Sequence, residues 1–240
     1  MKLNAAALTQ EELNEAIRSS RDSRVEVTGC LGHRYIGAGL SGCRADITGT
    51  PGNALGAYLD GAVLHVHGNA QDAVGDTMNA GAIYVDGLAG DAAGYAMRGG
   101  RLFIHGSAGY RAGVHMKAYG DSKPLLVIGG SAGSFLGEYQ AGGTIVVLGL
   151  GAGGRPPAGF FCGTGMYGGE IILRAAQPPR VDEQHITCAI LDAEGIRRLR
   201  PVLEEFARVF GEDEQELYAL PFYRLTPNAA NPYRQMYTSV

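Results

Sequence analysis

A chain of 240 residues with 45% hydrophobic and 18% charged residues is globular, with a sparsely charged body. Its net charge of −4 and pI near 5.9 give no electrostatic footprint for nucleic acid, and no run of about 18 apolar residues is available to span a membrane. Glycine, at 38 of 240 residues, is about twice its usual share, yet without the three-residue period of a collagen helix.

In chain order, residues 8–19 read as a short amphipathic helix. Thr9 is its N-cap, Glu12 completes a capping box, and Leu8, Leu13, Ala16 and Ile17 share a face. The first residues have too short an apolar core for a signal peptide, so a cytoplasmic protein is expected. Val25-Glu26-Val27-Thr28-Gly29 alternates and reads as a strand, the first sheet edge, on which that helix packs. Gly37-Ala38-Gly39-Leu40-Ser41-Gly42 matches G-x-G-x-x-G, but Arg44-Ala45-Asp46-Ile47-Thr48-Gly49 after it alternates like a strand. A dinucleotide site needs a helix opening there, so no cofactor is assigned to it.

A repeat then dominates, from Gly42 to Gly169. Gly49, Gly68, Gly87 and Gly106 close short apolar phrases at 19-residue spacing, and Gly56, Gly75, Gly94 and Gly113 form a second series in step. Leu59, Met78, Met97 and Met116 follow that second series by three residues. The register stretches at a polar insertion, Val114–Lys123, and again at a Gly/Pro-rich loop, Leu150–Pro157. Glycine this frequent would ruin helices, at about 1 kcal/mol each. Strands of four or five residues with glycine corners suit a mostly β fold, a single-stranded parallel β-helix of about six to seven coils, roughly 30 Å long at the usual strand spacing.

Alternation predicts which side chains point inward. One row is Val66, Val85, Ile104, Val127 and Val147; another is Leu64, Ile83, Leu102, Leu125 and Ile145. The Leu59–Met78–Met97–Met116–Met166 row is read as a further interior ladder. Of the outward rows, one is Asp46, His65, Tyr84, Phe103 and Leu126, and the other is Thr48, His67, Asp86 and His105. His67, Asp86 and His105 would stand about 5 Å apart on adjacent coils, a hydrogen-bonded strip or, as the weaker reading, a metal face. These outward rows are the surface on which partners are expected.

The exposed ends of such a stack need caps. The N-terminal helix serves one end, and the residues after Pro178-Pro179 serve the other. His185–Leu191 reads as a last strand. Asp192 then caps a turn, with a helix starting near Pro201 and running to Gly211. A shorter helix starts near Asp213, and an aromatic, extended tail runs through Tyr233 and Tyr237. The expected organisation is a cap over 1–35, the glycine-rich body over 36–176 and a C-terminal unit over 177–240, all in one structural domain. Cys30, Cys43, Cys162 and Cys188 form no C-x-x-C pair and read as reduced thiols. There is no G-x-S-x-G elbow, phosphate loop or H-E-x-x-H, so no catalytic residue is assigned.

The repeat, the entry His33-Arg34-Tyr35-Ile36-Gly37-Ala38-Gly39-Leu40 and the ending Phe222-x-Arg224-Leu225-x-Pro227 resemble the glycine-rich C-terminal (GXGXG) domain of glutamate synthase large subunits, over about residues 8–235. A similar β-helix occurs in one of the subunits of formylmethanofuran dehydrogenase. The resemblance implies a right-handed β-helix with an architectural role and no active site of its own. It implies no cofactor on this chain, with FMN and Fe–S carried by partners. Those partners would be an amidotransferase (glutaminase) subunit and an FMN/Fe–S synthase subunit, making glutamate or N-methylglutamate. The alternatives weighed are a scaffold in a formylmethanofuran-type complex, an independent β-helix enzyme, and a self-assembling structural protein, so a homo-oligomer is also considered.

Overall fold

In the computed structural model, which describes residues 1–228, the capping box forms as read. Thr9 Oγ1 accepts from the Glu12 N–H at 3.2 Å, and the Thr9 N–H donates to Glu12 Oε2 at 2.8 Å. Helix α1 follows over Gln10–Ser19 and buries Leu13 and Ile17, which join the hydrophobic core.

The apolar phrases all become strands: β2 (Arg24–Leu31), β3 (Arg44–Thr50), β4 (Asp60–His67), β5 (Ala80–Val85), β6 (Arg101–Ile104), β7 (Leu125–Ile128), β8 (Ala141–Val147) and β9 (Gly168–Arg174). Each pairs in parallel with the next. The predicted first edge is not one, because β1 (Lys2–Asn4) pairs in parallel outside β2. At the far end β10 (Ile186–Ile190) is not last: β11 (Phe222–Pro227) inserts between β9 and β10, antiparallel to both. The described residues therefore form a mostly β fold with one mixed sheet of eleven strands. The tail's Tyr233 and Tyr237 lie outside the described residues.

Two further ladders join the same repeats. Ala70, Ala89, Ala108, Ala132 and Ala158 bridge in parallel, one after the other. At the turns, backbone N–H groups reach alternately forward and back: Ala54 to the Asp72 carbonyl at 2.9 Å and Gly56 to the Ile36 carbonyl at 2.8 Å. Side chains reinforce the stacking at 19-residue steps, Asp72 Oδ1 accepting from the Asp91 N–H at 2.9 Å and Asp91 Oδ1 from the Tyr110 N–H at 2.8 Å. The closing glycines serve close approach more than positive φ. A Cβ on Gly68 would collide with the Gly49 carbonyl, and Gly87 meets the same limit against Asn69 without adopting a positive φ.

The interior rows hold in β4 to β6 and again in β8, where Ile145 and Val147 are in the core. In β7 alone they slip by one residue, since Leu102 pairs with Leu126 and Ile104 with Ile128. Leu126 and Ile128 therefore point into the core, and Leu125 and Val127, expected inside, face outward. A one-residue slip reverses every side chain.

The C-terminal unit also departs from expectation. Helix α2 runs unbroken over Ala193–Phe210 through Pro201, from Asp192 as N-cap to Gly211 as C-cap (φ 74°). Pro201 and Arg197 are both exposed, so the carbonyl that loses its partner faces water. This helix lies on the outer face of the sheet instead of over its end. With the short helix α3 (Glu214–Leu217) it builds a second core, in which Tyr84, Phe103, Val127, Val146 and Ile172 meet Leu199, Leu203, Phe206 and Leu217.

Candidate functional site

The alternation that buries Leu64 and Val66 turns His65 and His67 to the outer face of β4. Pairing sets Asp46 beside His65 and Tyr84 beyond it. Asp46 is buried at 7% exposure and receives Arg24 Nε at 2.8 Å and Arg44 Nη2 at 2.8 Å. Arg44 Nη2 also faces His65 Nδ1 at 3.4 Å. Since an arginine only donates, His65 accepts there and donates through Nε2 to Asp86 Oδ1 at 2.7 Å. His67 Nδ1 donates to the other oxygen of Asp86 at 2.8 Å, and the two imidazole centroids lie 4.3 Å apart.

The row expected as His67, Asp86 and His105 is thus only half assembled. Asp86 takes His67 straight across the ladder and His65 on the diagonal. His105 turns away: its Nε2 meets Glu212 Oε1 at 2.7 Å, its ring stacks on Phe210 at 4.9 Å, and Nδ1 donates to the Asp86 backbone carbonyl at 3.2 Å. The structure instead gathers Asp46, His65 and His67, with one ligand atom each within 4.8 Å of the others. That set fits a divalent cation poorly. Arg24 and Arg44 already pair with Asp46, Asp86 already engages both imidazoles, and a metal would have to displace Arg44 from the space between Asp46 and His65.

Burial raises the Asp86 carboxyl, but the hydrogen bonds from His65 and His67 outweigh it and hold the group below its ordinary 3.8. A carboxyl that titrates lower in the folded chain contributes stability above the unfolded value, and that stability is lost as pH falls toward the folded value. Asp86→Asn is therefore expected to lower Tm most above about pH 5 and less below about pH 4. Thermal melts across that range check this, and a gap that stays constant with pH refutes it.

A second feature lies at the turns. Tyr35, Tyr58, His115, Phe135, Tyr139 and Phe161 all have φ between 55° and 63°. Bulky residues rarely adopt this left-handed backbone, which costs about 1–2 kcal/mol each. The core does not compensate, because Tyr35, Tyr58 and Phe161 are 53%, 58% and 64% exposed. The rings stack across repeats instead. His115 lies 5.2 Å from Tyr139, Phe135 lies 5.0 Å from Phe161, and Arg111 covers Phe135 at 5.1 Å. Sequence reading missed this corner, although each of these residues sits two places before or after a glycine: Gly37, Gly56, Gly113, Gly137 or Gly163. Strained positions held at an exposed surface point to a function of that surface.

Among the described residues the four free cysteines are not gathered into a group that could hold a metal or cluster. Burial pushes Cys162 up to about 12 and Cys30 up to about 11, and raises Cys43 and Cys188 as well. No helix among the described residues is long and apolar enough to cross a membrane.

The model of a family described as the GXGXG motif matches residues 4–226. An uncharacterized protein of Methanocaldococcus jannaschii is 36% identical over 135 residues, which is 52% of this chain and 50% of that protein. The chain thus aligns with about half the length of this curated relative.

Proposed function

Because the chain belongs to the GXGXG motif family, we propose that it is a non-catalytic scaffold subunit of a glutamate-synthase-type amidotransferase–oxidoreductase. Its body winds as a right-handed parallel β-helix; the three ladders joining successive repeats support that winding. It holds together a glutaminase and a synthase that carries FMN and Fe–S, and the complex makes glutamate or N-methylglutamate. The observation that carries this reading is the strained aromatic corner. Tyrosine, phenylalanine and arginine are the residue types that dominate binding energy at protein interfaces, and here they are kept exposed against a conformational cost. The cofactors belong to the partners, in keeping with cysteines that form no metal-holding group among the described residues.

Affinity purification of the native complex tests the proposal. A glutaminase and a flavin- and Fe–S-containing protein are expected to co-purify with the chain. The double variant Tyr58→Ala/Phe161→Ala is expected to lose them while keeping its own Tm within a few degrees. The isolated chain is expected to be colourless. Recovery of the chain alone, a large homopolymer, or flavin absorbance in the pure chain would each overturn the reading.

A further inference from the structure

We propose that the cavity between the first insertion and the coil corner beneath it binds a phosphate group, free or carried on a small ester. The cavity has a volume of about 450 Å³ and is lined by Asn79, Arg98, Lys117, Tyr119 and Ser122. That size lies in the range of small-molecule sites. Its floor follows from the repeat. Asn79, Arg98 and Lys117 each come directly after a core methionine, Met78, Met97 and Met116, at 19-residue spacing. Their backbones stack, the Asn79 N–H on the Leu59 carbonyl at 2.9 Å, Arg98 on Met78 at 2.9 Å and Lys117 on Met97 at 2.9 Å. Three polar side chains therefore leave one corner at about the strand spacing of 4.8 Å.

The insertion supplies the wall. Tyr119 and Ser122 exchange two backbone hydrogen bonds of 3.0 Å, closing a small hairpin. The Ser122 hydroxyl packs on Gly99, where a methyl group would collide with it and with the Asn79 carbonyl. In repeat proteins, insertions commonly mark the binding face.

The charge is unbalanced. Arg98 and Lys117 are exposed, and among the described residues neither guanidinium nor ammonium has an ion-pair or hydrogen-bond partner. The chain as a whole is acidic. The lining offers donors from Arg98, Lys117, the Asn79 amide and the hydroxyls of Ser122 and Tyr119, and it holds no carboxylate. A phosphate carries about −1.5 to −2 charge at neutral pH with three terminal acceptor oxygens. It matches two adjacent cations and several donors better than a single carboxylate does.

The test is titration of the full chain with inorganic phosphate at constant ionic strength, which removes general screening, followed by calorimetry or phosphorus NMR. Saturable binding at about 1 mM or tighter is expected. Arg98→Ala and Lys117→Ala are each expected to weaken it tenfold or more, and the remote exposed Arg21→Ala to leave it unchanged. Both site variants alter exposed side chains, and an unchanged Tm verifies their folding. No saturation at tens of millimolar, or equal binding by the Arg98 variant, overturns the proposal. Phenyl phosphate identifies the source: tighter binding than inorganic phosphate assigns the remaining volume, beside Tyr119, to an ester, and equal binding assigns the site to the free ion.

Discussion

Phe206→Ala is expected to destabilise the protein by about 3–5 kcal/mol, lowering Tm by roughly 10 °C for a chain of this size. Phe206 is completely buried. Its ring lies 4.9 Å from Phe210 and 6.0 Å from His105. Its tip reaches Gly129, where a Cβ would stand only 2.6 Å from Cζ. The glycine is thus what lets α2 press onto the sheet. Removing the ring leaves a cavity between two layers, and a helix also packed on the sheet through Leu199, Leu203 and Ala207 resists collapsing into it. Phe206→Leu is expected to retain more than half of the lost stability. Circular-dichroism melts decide the matter: a shift below 2 °C for the alanine variant would mean that α2 does not hold the outer face. The alanine variant should also aggregate more readily, because Phe103, Val127 and Val146 lie beneath the helix.

That second core explains where sequence reading succeeded and where it failed. The repeat was legible because each unit repeats the same local physics: a dry inward row, a glycine at a close approach, a turn. Asp46, His65, Tyr84 and Phe103 were correctly turned outward for the same reason. The continuation was lost at Leu125-Leu126-Val127-Ile128. There the glycine doublet Gly129-Gly130 offers two registers, and the ladder takes Gly130 as the partner of Gly106, its N–H meeting that carbonyl at 2.9 Å. Alternation cannot choose between them when all four residues are apolar. They are apolar because both faces are buried, one in the main core and one under α2. The aromatic character of Tyr84 and Phe103 was the available signal that the outer face is covered.

The polar strip was half legible for a related reason. Period-two reasoning identified Asp86 as the neighbour of His67, which the structure keeps. It separated His65 and His105 by rows, and the structure overrides rows with diagonals and with α2. Asp86 reaches back to His65, while Glu212, more than a hundred residues distant in sequence, takes His105. Tyr84 likewise donates to Glu205 Oε1 at 2.6 Å, beside Arg101 at 3.0 Å. Contacts of such sequence separation leave no local pattern. The outward rows, where partners are expected from the alternation alone, are therefore largely occupied by the chain's own helix, and the exposed aromatic residues lie instead at the turns.

Arg174→Ala is expected to cost about 3–5 kcal/mol, although Arg174 contacts neither the aromatic corner nor the phosphate cavity. Its side chain is 7% exposed at the end of β9. Its donors go entirely to carbonyls: Nε to Leu217 at 2.8 Å, Nη1 to Leu148 at 2.9 Å and Nη2 to Glu216 at 2.6 Å. Burial lowers its pKa, an effect the nearby Glu216 opposes, so the carbonyl dipoles and that one carboxylate hold the charge in place. Glu216 and Leu217 are the last residues of α3; the Glu216 carbonyl also accepts from the Ala219 N–H at 3.1 Å, and Arg174 supplies the donor for that of Leu217. One guanidinium therefore ties the end of β8, the end of β9 and α3 together, just where the chain turns back to enter the sheet as β11. Without it, buried acceptors are left unpaired and the segment from Gly211 to Pro221 loses its anchor. The alanine variant is expected to be cleaved there by thermolysin, beside Leu217 or Leu220, well before global unfolding. Arg174→Lys keeps the charge but loses the fork, and is expected to recover less than half of the stability. Limited proteolysis with mass mapping, beside chemical denaturation, distinguishes the outcomes. Cleavage unchanged from wild type would show that packing of Leu217 and Phe222 alone secures the C-terminal unit.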